Sequence, residues 1–249
     1  MEKFKRKILL VGDLHGNFDL AVKLTYWARR KGYSIVYYGD LTDSFEYSKR
    51  DQLKTLLLVI DQLKAGRAWC LWGNHDLSYI NSPLFACSGY TRSKEKYFKE
   101  AYKELLNHPR FTPFIDLKWE EDKKILLTHA GLAPEMVPVR KDPIEFLEES
   151  FKDRAQAFNT PMPLLMPGKL SGGRQPVGGI TWLRSGETQG GFPNLIQIVG
   201  HTAQGAIDFD SKRNTYYIDT LIASSNQEVI LLDLDLFKIN IFTSKEYLV

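Results

Sequence analysis

The run Lys7-Ile8-Leu9-Leu10-Val11 passes directly into Gly12-Asp13-Leu14-His15-Gly16, an apolar stretch that stops in an Asp-x-His between two glycines. The same form recurs along the chain. Residues 34–38 run into Gly39-Asp40-Leu41-Thr42-Asp43, and residues 68–72 into Gly73-Asn74-His75-Asp76. Residues 124–127 run into Thr128-His129-Ala130-Gly131, and residues 195–199 into Gly200-His201-Thr202. Short apolar runs bounded by glycine read as buried strands. Each run here ends in a side chain that can bind a metal. The chain has five histidines, and four lie in these motifs, where chance placement would scatter them. Strand ends gathered on one rim of a sheet bring Asp, His and Asn together, which is how a dinuclear metal site is built.

The intervening segments read as helices. Leu20, Ala21, Leu24, Trp27 and Ala28 recur at helical spacing, and Gly32 supplies a C-cap. A second helix is expected over 52–64 and a third over 94–106, stopped by Asn107-His108-Pro109. A fourth is expected over 143–158, with Asp142 as N-cap and Pro143 at the first helical position. Strand alternating with helix implies parallel pairing through right-handed crossovers. Segment 161–191 is rich in proline and glycine, too much so for regular structure. A loop of that length is functional or disordered, and its place between the fourth and fifth motifs lets it cover the rim. Residues 214–218, 228–233 and 238–243 alternate apolar with polar and read as antiparallel strands.

Length and composition fit one domain spanning 1–249. The hydrophobic fraction of 43% and the charged fraction of 25% are those of a globular protein with a normal core. A formal net charge of +3, with Lys and Arg spread along the chain, gives nucleic acid no stripe to bind. The one basic run, Lys3-Phe4-Lys5-Arg6-Lys7, precedes the first strand and belongs at the end of the sheet opposite the motifs. Cys70 sits in an apolar run as core filler, and with Cys87 it gives no disulfide framework. No apolar stretch reaches membrane-spanning length and no signal peptide is visible, so no membrane partner and a cytoplasmic setting are expected.

Asp13 and His15, two apart at a strand end, face the same way if the strand's alternation persists to that point. The carboxylate of Asp40 has two oxygens and can bridge two cations. Asn74 offers a neutral oxygen, and His129 and His201 offer imidazole nitrogens.

Taken together these motifs resemble the calcineurin-like metallophosphoesterases, whose pattern is Asp-x-His-Gly, Gly-Asp-x-x-Asp, Gly-Asn-His-Glu/Asp, a His and a Gly-His. The acid at Asp43, three residues after Asp40, and Ala203 in place of a second histidine bring the chain closer to two branches. These are the serine/threonine phosphoprotein phosphatases and the diadenosine tetraphosphate hydrolases. The resemblance implies a four-layer αββα sandwich of two mixed sheets flanked by helices. It implies a first metal on Asp13, His15 and Asp40, and a second on Asp40, Asn74, His129 and His201. A hydroxide between two divalent cations would attack phosphorus in line. His75 would protonate the leaving oxygen and Asp43 would orient it. Mn is expected in vitro, with Fe, Zn, Co or Ni as alternatives.

Two departures bear on the substrate. Ser44 and Trp72 stand where phosphoprotein phosphatases carry phosphate-binding arginines. Arg184, in a Trp-x-Arg element, and Arg174 are the candidates to replace them. Phe45, Tyr47, Tyr79 and Trp182 either stack on a nucleotide base or belong to the core. The substrate expected is a phosphate monoester, on a phosphoprotein or a small aryl ester. A dinucleoside polyphosphate and a metal-binding scaffold without catalysis are the competing readings.

Overall fold

The computed structural model describes residues 6–221 and 227–247. The chain begins with β1 (Lys7–Val11), α1 (Phe18–Lys31), β2 (Ser34–Tyr37), α2 (Lys49–Lys64) and β3 (Ala68–Leu71). Two helices, α3 (Asn74–Ile80) and α4 (Arg92–Leu106), lead to a short strand, β4 (Phe111–Thr112). A hairpin follows, β5 (Phe114–Glu120) and β6 (Lys123–Thr128), then α5 (Pro143–Ser150) and α6 (Arg154–Asn159). The order closes with β7 (Leu195–Val199), β8 (Asp208–Asp210), β9 (Thr215–Tyr217), β10 (Val229–Asp233), β11 (Lys238–Phe242) and α7 (Ser244–Tyr247).

These strands form two mixed sheets, β11-β10-β1-β2-β3-β4 and β5-β6-β7-β9-β8. β1 to β4 run parallel, as the strand–helix alternation requires, and β10 and β11 add an antiparallel edge. The sheets pack face to face through alternate residues. Ile8, Leu10, Val36, Tyr38 and Leu71 of the first meet Ile115, Leu117, Ile125, Leu127 and Ile198 of the second. The intervening positions Leu9, Val11, Ile35 and Tyr37 turn the other way, into a core shared with Leu24, Ala28, Leu56, Val59 and Leu105 of the helices. Both faces are covered, which is why these strands read as continuous apolar runs. This is the helix–sheet–sheet–helix layering that the motif resemblance implies.

Several boundaries differ from expectation. α2 and α4 begin earlier because Ser48 and Thr91 cap them, each side chain accepting a backbone N–H in the first turn. The helix expected over 143–158 is two, broken where Asp153 caps α6 by accepting from the Gln156 N–H. β9 is antiparallel to β8 but parallel to β7, so the expectation of an antiparallel strand holds on one side only. The segment 161–191 is irregular but packed. Leu164, Leu165, Ile180 and Leu183 are buried, so it builds a wall of the molecule. Lys3, Phe4 and Lys5 of the basic run lie outside the described residues. Arg6 and Lys7 pair with Asp235 and Asp233 at the start of β1, away from the motifs. No helix among the described residues is long and apolar enough to cross a membrane.

The turns after β2 and β3 touch backbone to backbone. A Cβ on Gly39 would sit 2.5 Å from the Gly73 nitrogen, and one on Gly73 would sit 2.3 Å from both the nitrogen and Oδ1 of Asp40. Glycine at both places is what lets two motifs merge. Gly73→Ala is expected to destabilise the protein by about 1–3 kcal/mol, as overpacking does. Urea denaturation checks this, and an unchanged midpoint contradicts it.

Candidate metal centre and active site

The motif residues converge on one rim. Asp40 lies at its centre, 2% exposed, on a turn with φ of 47°. Its Oδ1 accepts the His75 backbone N–H at 2.9 Å. Its Oδ2 faces outward to three imidazoles: His129 Nε2 at 3.5 Å, His15 Nε2 at 3.7 Å and His75 Nε2 at 4.0 Å. A bridging role would therefore fall to one oxygen rather than two. Two groups of donor atoms share this carboxylate, His15–Asp40–His75 and Asp40–His129–His201.

The nitrogens are oriented for it. His15 Nδ1 lies 2.8 Å from the Thr42 carbonyl, and His129 Nδ1 lies 2.6 Å from the Tyr38 carbonyl. A carbonyl only accepts, so both Nδ1 atoms carry hydrogen, and Nε2 is the ring atom that each turns toward Asp40. Asn74 Oδ1 stands 2.9 Å from His129 Nε2 and 3.0 Å from His201 Nδ1. Turned over, the same amide would donate to those atoms instead. With the oxygen inward, a cation would satisfy it together with the ring nitrogens. Cys87, which the sequence left unassigned, accepts from Asn74 Nδ2 at 3.2 Å and supports that orientation. The donor set fits a divalent metal of the imidazole–carboxylate class.

His15 does not reach the rim by strand alternation. β1 ends at Val11, and a turn with φ of 41° at His15 docks its N–H on the Asp40 carbonyl at 2.8 Å. Asp13 is buried, with Oδ1 3.8 Å from His129 Nδ1 and accepting the His201 N–H at 3.3 Å. It stands beside both donor groups and belongs to neither. His75 joins the first group instead, while its Nδ1 is held 3.1 Å from Asp43 Oδ2. Asp43 also accepts from the Tyr79 hydroxyl and from Lys94 Nζ at 3.1 Å.

Arg184 is half-buried, and its Nε donates to Ser171 Oγ at 2.9 Å. Its charge helps depress the His201 imidazole, after burial and His129, so it stands near the site. Arg174 is exposed, and among the described residues no contact joins it to the motif side chains. Trp72 is fully buried against Phe111, Phe151 and Phe158, out of reach of any phosphate. Tyr79 stacks on Tyr102 in the core, and the Trp182 ring lies 5.8 Å from that of His201.

Two carboxylates escaped the sequence reading. Asp76 accepts the N–H groups of Asp40 and Leu41 at 2.7 and 3.1 Å, and the Tyr102 hydroxyl at 2.9 Å. Its place directly after Asn74-His75 was the available signal. Asp219 is 1% exposed, with Oδ1 unpartnered. It follows the strand at 214–218, the same apolar-run-then-acid pattern as the other motifs. Gln52, on α2, donates to the Ser44 and Tyr47 carbonyls and accepts the Asp43 N–H, for which the sequence offers no signal.

The comparisons with known proteins now decide the family. A family model described as calcineurin-like phosphoesterase matches residues 6–204. The chain belongs to the calcineurin-like phosphoesterases. Members of this family are hydrolases that use divalent metals. The chain is 29% identical over 142 residues to a "Probable serine/threonine-protein phosphatase" of Encephalitozoon cuniculi (strain GB-M1). The match covers 56% of the chain and 29% of that relative, so the chain spans less than a third of the relative's length. A cold-active protein-tyrosine phosphatase of a psychrophilic Shewanella species superposes with TM-score 0.61 at 16% identity, over 96% of this chain and 80% of that one. A Saccharomyces cerevisiae protein serine/threonine phosphatase superposes with TM-score 0.50 at 16% identity, over 95% and 79%. These two likenesses show the fold.

With only the protein's own charges in play, the calcineurin-like rim holds protons that a cation must displace. Burial opposes a charge on His129, but Asp40 and Asp13 outweigh it and push its imidazole up to about 10. Burial, Asp219 and Asp40 together push the Asp13 carboxyl well up. At neutral pH the His129 ring therefore carries an extra proton, and binding a cation there releases it. Apparent affinity for Mn²⁺ is expected to rise with pH by about tenfold per unit for each proton displaced. Calorimetry in buffers of different ionisation enthalpy reads the release, and a pH-independent affinity without proton release contradicts it.

Proposed function

We propose that this chain is a phosphomonoesterase dependent on two divalent cations, hydrolysing a phosphorylated side chain or a comparable small ester by in-line attack of water on phosphorus. The observation that carries the reading is Asp40 Oδ2, faced by imidazoles of both donor groups. Asp13, His15 and Asp40 would hold one cation, and Asp40, Asn74, His129 and His201 the other. Two such cations acidify a water and polarise the phosphoryl oxygens; Mn is expected in vitro, with Fe, Zn, Co or Ni as alternatives.

The protein's own groups supply the rest. Burial disfavours a charge on His75, but Asp40 and the Asp43 hydrogen bond push its imidazole well above the ordinary value. That direction favours the protonated ring, and Nε2 is directed at the rim, as a general acid's must be. Asp43 fixes the ring through Nδ1, and Lys94 and Tyr79 fix Asp43 in turn. Arg184 would grip phosphate oxygens, with the exposed Arg174 as the weaker candidate. A diadenosine tetraphosphate type of activity draws support from Phe45 and Tyr47, which line a cavity beside His75 and can stack on a base. The intact His75–Asp43 pair counts against a scaffold without catalysis.

Steady-state kinetics with Mn²⁺ tests the roles. His75→Asn is expected to keep its metal and lose turnover by ~10²–10⁴, less so for nitrophenyl phosphate, whose leaving group needs no proton. Arg184→Ala should lower kcat/KM for every phosphate ester by about 2–4 kcal/mol. Loss of metal in His75→Asn would make His75 a ligand, and wild-type kcat/KM in Arg184→Ala would remove Arg184 from the site.

A further inference from the structure

A cavity of about 480 Å³ opens beside His75, the side chain read above as the proton donor to the leaving group. His15 and His75 form its floor, and Leu14, Phe45 and Tyr47 form apolar walls. Phe45 is 91% exposed and Tyr47 37% exposed, so neither ring is spent on the core.

The wall that carries them is built, not loose. Ser44 Oγ accepts the N–H groups of Glu46 and Tyr47 at 3.0 and 3.1 Å, closing a tight turn. Buried Gln52 pins that turn from below through the Ser44 and Tyr47 carbonyls, at 3.2 and 2.8 Å. Lys94 Nζ, anchored on Asp43 and the Gly89 carbonyl, lies 6.0 Å from the Phe45 ring centroid. Ser44 is thus committed to the turn of its own loop. The backbone that carries both rings is thus fixed beside the reaction site, which lowers the cost of stacking on them.

The charge of the lining narrows the ligand further. Glu46 faces the cavity, and among the described lining residues none is Lys or Arg. A leaving group that itself carries phosphate would meet that acid, while the nearby Lys94 is committed to Asp43 and the Gly89 carbonyl.

We propose that the cavity bounded by Phe45 and Tyr47 is a leaving-group pocket for an aromatic group without a further phosphate. The chain would then favour aryl or nucleoside phosphate monoesters over alkyl esters such as phosphoserine, and over dinucleoside polyphosphates. This rests on the phosphomonoesterase reading, because it places the leaving group next to His75. The ester bond to phosphorus breaks, water supplies the incoming oxygen, and the departing phenol or alcohol takes its proton from His75.

Two measurements test the proposal. In the first, kcat/KM is compared for a phosphotyrosyl peptide, the same peptide with phosphoserine, a nucleoside 5′-monophosphate and a dinucleoside tetraphosphate. Wild type should prefer the aromatic monoesters by about tenfold or more, the size of one good aromatic contact, and the first and third arms tell a tyrosyl from a nucleoside source. In Phe45→Ala/Tyr47→Ala the preference should fall by about tenfold, leaving only the intrinsic advantage of the better leaving group. In the second, calorimetry compares phenylphosphonate with methylphosphonate, neither of which turns over. Phenylphosphonate should bind about tenfold tighter to wild type, and the gap should close in the double variant. Equal binding of the two phosphonates, or a gap that survives in the double variant, overturns the pocket whatever the activity. A preserved gap with no hydrolysis of any ester, nitrophenyl phosphate included, would instead overturn the phosphomonoesterase reading.

Discussion

The arrangement depends on where one carboxylate is put. Asp40 sits on a turn pressed so closely against Gly73 that neither glycine of the pair admits a side chain. Asp76 clamps that turn from beneath, accepting two successive backbone N–H groups. The helix carrying Asn74 and His75 starts from the same contact. Three apparently separate features, a turn after β2, a turn after β3 and a helix start, are thus one rigid unit. Its output is a single oxygen aimed at imidazoles that arrive from β1, β6 and β3.

Building this unit strains the backbone. His15, Asp40, Asp43 and His201 all adopt positive φ without being glycine. Such residues cost of order 1–3 kcal/mol each and persist only where the surroundings over-determine them. Here the surroundings can be named. His15 is docked on the Asp40 carbonyl, Asp40 on Asp76, Asp43 on Gln52, Tyr79 and Lys94, and His201 on Asp13. Burial adds a second cost. Asp13, Asp76 and Asp219 are desolvated next to Asp40, and burial with that neighbour's charge pushes Asp76 up to about 7. A cation is what that concentration of carboxylates and lone pairs is suited to receive.

The sequence disclosed the rim better than its supports. Strands β1, β2, β3, β6 and β7 were legible because each is buried on both faces and stopped by glycine or a polar turn. The candidate metal-binding side chains were legible because they follow those stops. β5 escaped, although its alternation of buried and exposed residues is regular, because no motif marked it. The break between α5 and α6 escaped because the segment's apolar spacing reads as one helix, with Asp153, the cap of α6, inside it. Among the site residues, Asp76 and Asp219 carried the same strand-end signal as the assigned ligands. Gln52 and Cys87 carried none, since their roles come from segments that approach only in three dimensions. Tyr79, a candidate base-stacking residue in sequence, is instead a hydrogen-bond donor to Asp43.

The most direct test of the account is the metal content of wild type and Asp40→Asn after saturation with Mn²⁺ and desalting, read by elemental analysis alongside hydrolysis of nitrophenyl phosphate. Because one oxygen of Asp40 faces both donor groups, the account predicts two metals per chain in wild type, with both weakened and activity lost in Asp40→Asn. One tight metal with full activity in wild type, or an Asp40→Asn protein that retains two metals, would contradict it.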